Sequence, residues 1–399
     1  MTATKFAVAG GQPAFDTQIP VGQLYFPNWE RYEAAVKGIF KRRYYTNQGP
    51  LVQELEVQLQ QMLGVKHVIC VVNATVGLMM AAEALELRGK VILPSFTFLA
   101  SAQSLSWAGL EPVFCDVNPV THQIDVAKIK PLITESVSAI MAVNLWGGAS
   151  DVEALRKLAD EAGKKLYFDS AHAFGCEING KRIGCFGELE VMSFHATKML
   201  SATEGGCICT NDDAIAAKLR NIRSSYGAGA PATVVKTSNG RMSEFQAAIA
   251  LLNLEDFEGN RTNNENTFLK YQQHLAGIPG VRLIRPSGVS RSNYQYIVCE
   301  INSDQFGLSR QQLLDVLKAE NINARRYFFP GVHKSIEFSS LYNQQNNPLP
   351  ITESLCETCL QLPVGALLDI NDVEVICDLI RNAQRHSADL RNYLGSVSI

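Results

Sequence analysis

The sequence predicts an α/β protein, with a mainly parallel sheet in a large first domain and a smaller α+β domain after it. From about residue 64 to residue 210, short apolar runs alternate with helix-like segments. This is the pattern of a parallel sheet covered on both faces. A chain of 399 residues is also longer than one simple core usually holds, so a second domain is expected. In such a sheet, active groups are expected where strands end and helices begin.

The elements of the large domain follow from the apolar runs and their turn signals. The pattern predicts strands at 67–72, 90–93, 111–116, 139–145, 165–169, 190–194 and 207–210. It predicts helices at 29–40, 51–63, 75–86, 97–107, 152–162, 213–223 and 243–254.

A change of domain is predicted near residue 258. Residues 1–258 would form the large domain, with an irregular N-terminal arm at 1–50, and residues 259–399 the small C-terminal α+β domain. In the second part the pattern predicts a strand at 294–301 and helices at 309–320 and 372–386.

Composition argues against several classes of function. A net charge of −3 gives no electrostatic basis for binding nucleic acid or an anionic membrane. No apolar window of about eighteen residues predicts a transmembrane span, and the N-terminus lacks the pattern of a signal peptide. The ten cysteines lie mostly in apolar runs, which favours a reducing, cytoplasmic compartment. Cys356 and Cys359 form a single C-x-x-C in a helical pattern, with nothing to complete a zinc site, so no metal is predicted.

A lysine at the end of a buried strand is the feature that points to chemistry. The run Ser193-Phe194-His195-Ala196-Thr197-Lys198 closes an apolar segment and is followed by Glu204-Gly205-Gly206. A lysine in such a place is costly unless it is paired, neutral or covalently used. A lone lysine usually points to solvent from a loop. Its neighbours favour a second interpretation, in which Lys198 holds an aldehyde cofactor as a Schiff base.

Three other strands end in residues that could serve the same site. Asp169 could pair with a protonated ring nitrogen, or equally cap a helix that begins at Ala171. Asn73-Ala74-Thr75 stands at a helix start, where free amides suit a phosphate, although such residues are often plain caps. Phe98 could stack on a planar ligand or pack in the core. No G-x-G-x-x-G or G-K-[ST] motif indicates a dinucleotide fold or a P-loop.

Together these motifs resemble the DegT/DnrJ/StrS-type sugar aminotransferases, pyridoxal-phosphate enzymes with the fold of aspartate aminotransferase. The matching pieces run in the order of that family and cover roughly residues 15–385: Asn47-Gln48-Gly49-Pro50, Ala74-Thr75, Pro94 to Phe98, Asp169 with Ala171 to Gly175, Ser193 to Lys198, Glu204 to Gly206, Asn239 to Met242, and Leu362-Pro363. Within the family, the segments around Lys198 and Asn239 are most similar to enzymes that aminate dTDP-4-keto-6-deoxyglucose.

The resemblance implies a role for each matching residue. Lys198 would form the Schiff base and shuttle the proton, and Asp169 would keep the ring nitrogen protonated, with its own pKa depressed by that cation. The other implied cofactor contacts are Phe98 on the ring face, Ala74, Thr75 and Ser193 at the phosphate, His172 at the phenolic oxygen, and Asn239 reaching the phosphate from the other subunit of a homodimer.

Substrate contacts are predicted at two further places. The segment from Arg325 to His333 holds two arginines, three aromatic residues and a histidine, which suit a sugar nucleotide or equally an exposed strand. The resemblance places this segment in the sugar-nucleotide pocket, so Tyr327 and His333 are predicted contacts. Tyr44 and Asn47, in the turn before Pro50, are similar candidates.

The resemblance implies transfer of the amino group of L-glutamate to carbon four of a keto sugar nucleotide, with a 3-keto sugar or a keto-cyclitol as alternatives. Ala74 departs from the usual glycine of the phosphate turn, so its methyl group must point away from the phosphate or the turn is reshaped. Relatives that dehydrate a sugar carry histidine at the lysine position, so Lys198 favours transamination. A regulatory relative that binds the cofactor without catalysis is a further alternative, which the intact pair Asp169 and Lys198 disfavours.

Overall fold

The computed structural model describes residues 5–23, 25–224, 228–342 and 347–394. Its strands are β1 (His67–Val71), β2 (Lys90–Pro94), β3 (Glu111–Cys115), β4 (Val137–Val143), β5 (Lys165–Asp169), β6 (Glu177–Ile178), β7 (Lys181–Arg182), β8 (Glu190–Ser193), β9 (Gly206–Thr210), β10 (Val281–Leu283), β11 (Ile297–Ile301) and β12 (Cys359–Leu362). Its helices are α1 (Trp29–Arg42), α2 (Pro50–Leu63), α3 (Ala74–Ala84), α4 (Leu99–Trp107), α5 (Val126–Ile129), α6 (Val152–Ala162), α7 (Asp213–Arg223), α8 (Glu244–Glu255), α9 (Phe257–Leu275), α10 (Ser303–Phe306), α11 (Arg310–Ala319), α12 (Pro350–Thr358), α13 (Asp372–Arg385) and α14 (Ser387–Leu390).

The central sheet has seven strands in the order β1-β9-β8-β5-β4-β2-β3. Strands β3, β2, β4, β5 and β8 pair in parallel, whereas β9 pairs antiparallel with both β8 and β1. Because β1 and β8 both run against β9, every strand of the sheet except β9 ends at the same edge. The predicted α/β class with a mainly parallel sheet is confirmed.

Helices cover both faces of this sheet, as the apolar strands require. In β4, Ala139 and Met141 pack into the core on one face, and Ile140 and Ala142 pack into the core on the other. Short apolar residues alternate in this way along a strand because successive side chains point to opposite faces. The sheet edge is therefore held rigidly from both sides.

A second core lies in the C-terminal part, around the three-stranded sheet β10-β11-β12. Phe6 and Ile19 pack into this core, so the start of the N-terminal arm lies against the C-terminal part. Helix α9 crosses the predicted boundary: Phe257 packs in a core beside the large sheet, and Phe268 and Tyr271 pack in the second core. The division at residue 258 stays a prediction, and it falls inside a continuous helix.

Many predicted boundaries differ from the structure by one or two residues, and three differences bear on the site. Helix α4 begins at Leu99, because Phe98 is still in an extended conformation and serves as its N-cap. Strand β11 begins at Ile297, after Tyr294 has taken a positive φ of 49° that a strand excludes. The helix considered from Ala171 is a turn, in which the carboxylate before it accepts the Ala171 N–H.

The cysteines and the helices bear on the remaining predictions. Cys356 lies in α12 but Cys359 begins β12, so the C-x-x-C spans a helix end and not a helix interior. All ten cysteines are unpaired. In the described ranges, no group of three or more His, Cys, Asp or Glu side chains is arranged to hold a metal, and no helix has the length and apolar character to cross a membrane.

Candidate active site

A cavity of about 520 Å³ opens at the edge where the parallel strands end. Its floor and sides come from the residues that follow β1, β2, β4, β5 and β8. A further wall comes from Arg325, Tyr327 and Phe328 of the C-terminal part. The predicted residues that line it are Ala74, Thr75, Phe98, Asp169, His172, Ser193, Lys198 and Tyr327.

Lys198 reaches the cavity from the tight loop after β8. Its backbone N–H donates to the carbonyl of His195 at 2.8 Å, which turns the chain back toward the sheet. Its Nζ donates to Tyr296 Oη at 2.9 Å. Burial lowers the pKa of Lys198 to about 8, because the charged amine loses its hydration there. About one tenth of the amine is therefore neutral at pH 7, far more than for an ordinary lysine.

Asp169 is the last residue of β5 and is 5% exposed. Ser101 Oγ donates to its Oδ2 at 2.8 Å, and the Ala171 N–H donates to its Oδ1 at 3.2 Å. Burial raises the pKa of this carboxyl, more than these hydrogen bonds and Lys198 lower it. In the chain without a cofactor, the pKa of Asp169 is therefore raised, and not depressed as expected beside a ring cation. A cation beside Asp169 would relieve this cost.

The phosphate end of the cavity is the N-terminus of α3. Ala74 and Thr75 lie in the first turn, where the N–H groups have no helical partner, and the Asn73 side chain caps the N–H of Val76 at 2.9 Å. Strand β9 passes close to this turn at Gly206. A Cβ atom there would lie 3.0 Å from the Ala74 nitrogen, so a side chain would press on the helix start. Ala74, Thr75 and Ser193 all line the cavity at this end.

The two aromatic sides of the cavity differ in exposure. Phe98 is 59% exposed on its own side, a free ring face for a planar ligand. On the other side, Phe328 and His172 line the cavity, and the buried ring of Trp146 lies behind them, with centroids 5.4 Å from Phe328 and 5.6 Å from His172. His172 is buried; its Nε2 bonds Tyr296 Oη at 3.1 Å, and its Nδ1 has no partner among the described residues. That nitrogen is available to a ligand.

Four predicted site residues lie outside the cavity of the single chain. Tyr44, Asn47 and Asn239 do not line it, and the Tyr44 hydroxyl donates to the Asn47 carbonyl at 3.1 Å. His333 is fully buried behind the cavity, where Nδ1 lies 2.7 Å from Ser95 Oγ. The structure therefore assigns His333 to a contact with the loop that carries Phe98 and gives it no surface on the cavity.

The structure adds site residues that the sequence analysis missed. Ser101 is one of them. The sequence held a signal for it, because Ser101 lies four residues after Thr97 on the predicted helix, and residues four apart share one face of a helix. Thr97 belongs to the segment from Pro94 to Phe98 that matches the family. Tyr296, Trp146 and Phe328 are others. Tyr296 had no signal of its own, since a tyrosine in a predicted strand is typical of packing.

The family model of the DegT/DnrJ/EryC1/StrS aminotransferases matches residues 29–381. This chain belongs to that family. A dTDP-4-amino-4,6-dideoxy-D-glucose transaminase of Shigella dysenteriae is 35% identical over 362 residues, 90% of this chain and 98% of the relative. The enzyme of the same description from Escherichia coli is 32% identical over 365 residues, 90% of this chain and 97% of the relative. The crystal structure of DesI in the presence of its TDP-sugar product has a TM-score of 0.90 and 35% identity, covering 98% of this chain and 100% of that chain.

The chain is thus an aminotransferase of the pyridoxal-phosphate-dependent fold, and the residues of the cavity fit that cofactor. The helix start at Ala74 and Thr75 suits a phosphate, and Asp169 suits a protonated ring nitrogen. The lowered pKa of Lys198 suits an amine that reacts with an aldehyde. The unpartnered Nδ1 of buried His172 suits an oxygen acceptor on the ring.

Proposed function

We propose that this enzyme transfers the amino group of L-glutamate to the keto group of a dTDP-linked 4-keto-6-deoxyhexose. The observation that carries the proposal is that Arg325 and Tyr327 lie on the wall of the cavity that holds Lys198. Sequence similarity adds support, because relatives at 32% and 35% identity are named for the corresponding 4-amino sugar. We infer carbon four as the site of amination from those names, and deoxyamino sugar biosynthesis as the setting.

Lys198 and Asp169 are the proposed catalytic pair. Pyridoxal phosphate, when bound, supplies an aldehyde that exchanges amino groups and a conjugated ring that acts as an electron sink. Lys198 provides the neutral amine that reacts with the aldehyde, and later the base that moves a proton at the substrate carbon. Asp169 holds the ring nitrogen in its protonated form, which in turn favours the ionised carboxylate at this buried position.

The other residues proposed to contact the cofactor hold it in place and orient its ring. Ala74 and Thr75, at the N-terminus of α3, and Ser193, the last residue of β8, would bind the phosphate through backbone N–H groups and hydroxyls. Phe98 would lie against one ring face, and His172 would donate from Nδ1 to the phenolic oxygen. None of these groups would need to change charge during the reaction, so each would serve by holding the cofactor within reach of Lys198.

Arg325 and Tyr327 are the proposed contacts for the sugar nucleotide. Arg325 donates to Tyr327 Oη at 3.2 Å, which leaves other guanidinium N–H groups to bind an anionic or hydroxylated substrate at the cavity wall. Both line the same cavity as Lys198, and the ring of Tyr327 lies 6.2 Å, by centroids, from that of Tyr296, which contacts Lys198 Nζ. A substrate held by Arg325 and Tyr327 is therefore held within reach of the reacting amine.

We further propose a homodimer with shared active sites in a reducing, cytoplasmic compartment. Large aromatic side chains are exposed on and beside α1, including Phe26, Trp29 and Phe40, which is typical of a contact surface. Tyr44, Asn47 and Asn239 lie outside the cavity of their own chain and are the proposed contributions to the partner's site. Ten unpaired cysteines support the reducing compartment.

The substrate proposal is tested by a screen of ketones. The purified enzyme with cofactor and L-glutamate is incubated with dTDP-, UDP- and GDP-linked 4-keto and 3-keto sugars and with a keto-cyclitol, and products are identified by mass and NMR. We expect turnover of the dTDP-linked 4-keto sugar. Preferred turnover of a 3-keto sugar or a cyclitol would overturn the substrate class but leave the aminotransferase. No aminated cofactor with any donor would point to the non-catalytic relative.

The shared site is tested by complementation. Lys198→Ala and Asn239→Ala are expected to be inactive or weak when each is alone. If Asn239 serves the partner's site, mixed dimers regain one site that has both native residues, and mixing restores activity. If both residues serve the same chain's site, mixing restores nothing. Sedimentation of the native enzyme gives the oligomeric state independently.

A further inference from the structure

We propose that Tyr296 is a positioning residue that turns the Lys198 amine toward the substrate and links it to His172 in one hydrogen-bonded chain. Tyr296 is 4% exposed and comes from the segment just before β11, in the C-terminal part. Its Oη lies 2.9 Å from Lys198 Nζ and 3.1 Å from His172 Nε2. One hydroxyl therefore bridges the reacting amine and an imidazole.

The donor and acceptor roles in this chain follow from the atoms present. Lys198 Nζ donates to Tyr296 Oη, so the single hydroxyl hydrogen is free to be donated to His172 Nε2. Nε2 must then be the unprotonated nitrogen. Burial holds the pKa of His172 well below its ordinary value, so the ring is neutral and its hydrogen is on Nδ1. The buried Nδ1 has no partner among the described residues and is left as a donor at the cavity wall.

The bridge also sets the direction of the amine. A neutral amine has one lone pair, and rotation about its last carbon–nitrogen bond decides where that lone pair points. By accepting one N–H, Tyr296 restricts the lone pair to the two remaining staggered positions and leaves it free for a carbonyl carbon or for a proton. Without the hydroxyl, the amine can turn freely in the same space.

Packing keeps the hydroxyl in place. The ring of Tyr296 lies 4.3 Å from the His172 ring and 5.4 Å from Trp146, by centroids. The main-chain N–H of Met199, next to the lysine, donates to the Gln295 side chain at 3.0 Å, so the two segments are tied together twice. The C-terminal part therefore contributes a fixed hydroxyl to a lysine that belongs to the sheet edge.

The charged and titratable groups around Lys198 are few enough to separate. Asp169 and Tyr327 favour its charged form, and Arg325 and burial disfavour it. Tyr296 contacts the amine, and His172 contacts Tyr296. Of these, Tyr296 is the one whose hydroxyl contacts Nζ directly in the described structure. Its removal should therefore change the amine without removing any formal charge from the site.

The first test uses the cofactor-free protein, so that it needs neither an amino donor nor a sugar. Lys198 is labelled by acetic anhydride over a range of pH, and the extent is read by peptide mass spectrometry. In the native protein, the curve of Lys198 labelling against pH is expected to have its inflection near pH 8. In Tyr296→Phe the charged amine loses an acceptor, so the inflection should fall by about one pH unit. The control is Tyr294→Phe, which removes a hydroxyl two residues away, on a ring that packs on Phe268.

The second test measures the transfer of the amino group from the donor in a single turnover of the loaded enzyme. Tyr296→Phe should slow this step by about 10²-fold, the cost of a misplaced reacting group, and Tyr294→Phe should not. In a cycle with His172→Phe, which cuts the chain and also removes the proposed cofactor contact of Nδ1, the double variant should be no slower than His172→Phe, because the chain is already cut there. An unchanged Lys198 inflection in Tyr296→Phe would overturn the positioning role. Effects that multiply in the double variant would overturn the link to His172. Neither outcome bears on which sugar is the substrate.

Discussion

The floor of the cavity and its far wall are built in different ways. The floor consists of residues that follow the parallel strands of one sheet, with Lys198, Asp169 and Thr75 at strand or helix ends. The wall consists of Arg325, Tyr327 and Phe328, with Tyr296 behind it in contact with Lys198, and these residues come from the C-terminal part of the chain. The floor is set by sheet topology, whereas the wall depends on how the C-terminal part packs against the sheet.

This difference assigns the catalytic chemistry to the floor and the recognition of the substrate to the wall. A residue at a strand end has little freedom, because both faces of the sheet are packed. Such a position suits chemistry that is the same in every turnover. The wall can change without changing the sheet, and it suits recognition of the substrate. Variants of the floor should therefore abolish the reaction, and variants of the wall should alter its rate or its substrate.

The largest expected effect is that of Lys198→Ala. The variant loses both the amine that reacts with the cofactor and the base that moves the proton, so turnover should fall by about 10³-fold or more. The visible absorbance of the native bound cofactor should change with it. Absorbance spectra and glutamate-dependent turnover measure the two losses. Lys157→Ala, on the exposed face of α6, is the control, and substantial turnover in Lys198→Ala would contradict the assignment.

Asp169→Asn should separate activity from stability. Turnover is expected to fall by about 10²-fold or more, because an amide does not hold the ring nitrogen protonated. The pKa of Asp169 is raised by burial, so its contribution to stability is present below the unfolded pKa of about 3.9 and is lost as pH rises through the folded value. At pH 7 the cofactor-free protein therefore carries the cost of a buried charge.

The stability of the cofactor-free Asp169→Asn protein should consequently exceed that of the native protein at pH 7, with a smaller advantage at pH 4. Thermal melts at the two pH values measure this. Asp160→Asn, on the exposed surface of α6, should give no such gain. A lower Tm of Asp169→Asn at pH 7 would show that its two hydrogen bonds outweigh the cost of the buried carboxylate.

The contrast between floor and wall also explains which site residues could be predicted from the sequence. Lys198, Asp169, Phe98 and Thr75 follow apolar strands in regular order, so their convergence at one edge is predictable from the alternation of strands and helices. Tyr296 was not predictable, because the approach of β11 to the lysine depends on packing between distant segments. His333 shows most clearly what the sequence cannot predict. The arginines and aromatic residues that precede it favoured a substrate contact, but the fold buries His333 against Ser95.

A moderate effect is expected at Phe98, which lies on the floor but does no chemistry. Its 59% exposed ring offers one face to the cofactor, and the loss of such a stacking contact costs roughly 2- to 10-fold in affinity. Phe98→Ala should therefore raise the dissociation constant of the cofactor by that factor, measured by equilibrium dialysis. Phe98→Tyr keeps the ring face and should bind normally. Equal weakening by both variants would mean that the ring is not a stacking surface.

The smallest expected effect is that of His333→Gln, where wall and floor meet. Ser95 Oγ lies 2.7 Å from His333 Nδ1 and accepts the His333 N–H at 3.1 Å, so the loop of Phe98 is tied to the C-terminal part. Burial lowers the pKa of His333, so its contribution to stability is present above the unfolded pKa of about 6.5 and is lost as pH falls through the folded value. His333→Gln should lower the free energy of unfolding by about 1 kcal/mol at pH 7, the value of one hydrogen bond, and by nearly nothing at pH 5.

Urea unfolding at both pH values measures the difference, with His274→Gln as a control in α9. His172 has a pKa shifted in the same direction, so some acid sensitivity should remain in the variant. A variant with the full native dependence on pH would mean that the tie between wall and floor lies elsewhere than at His333.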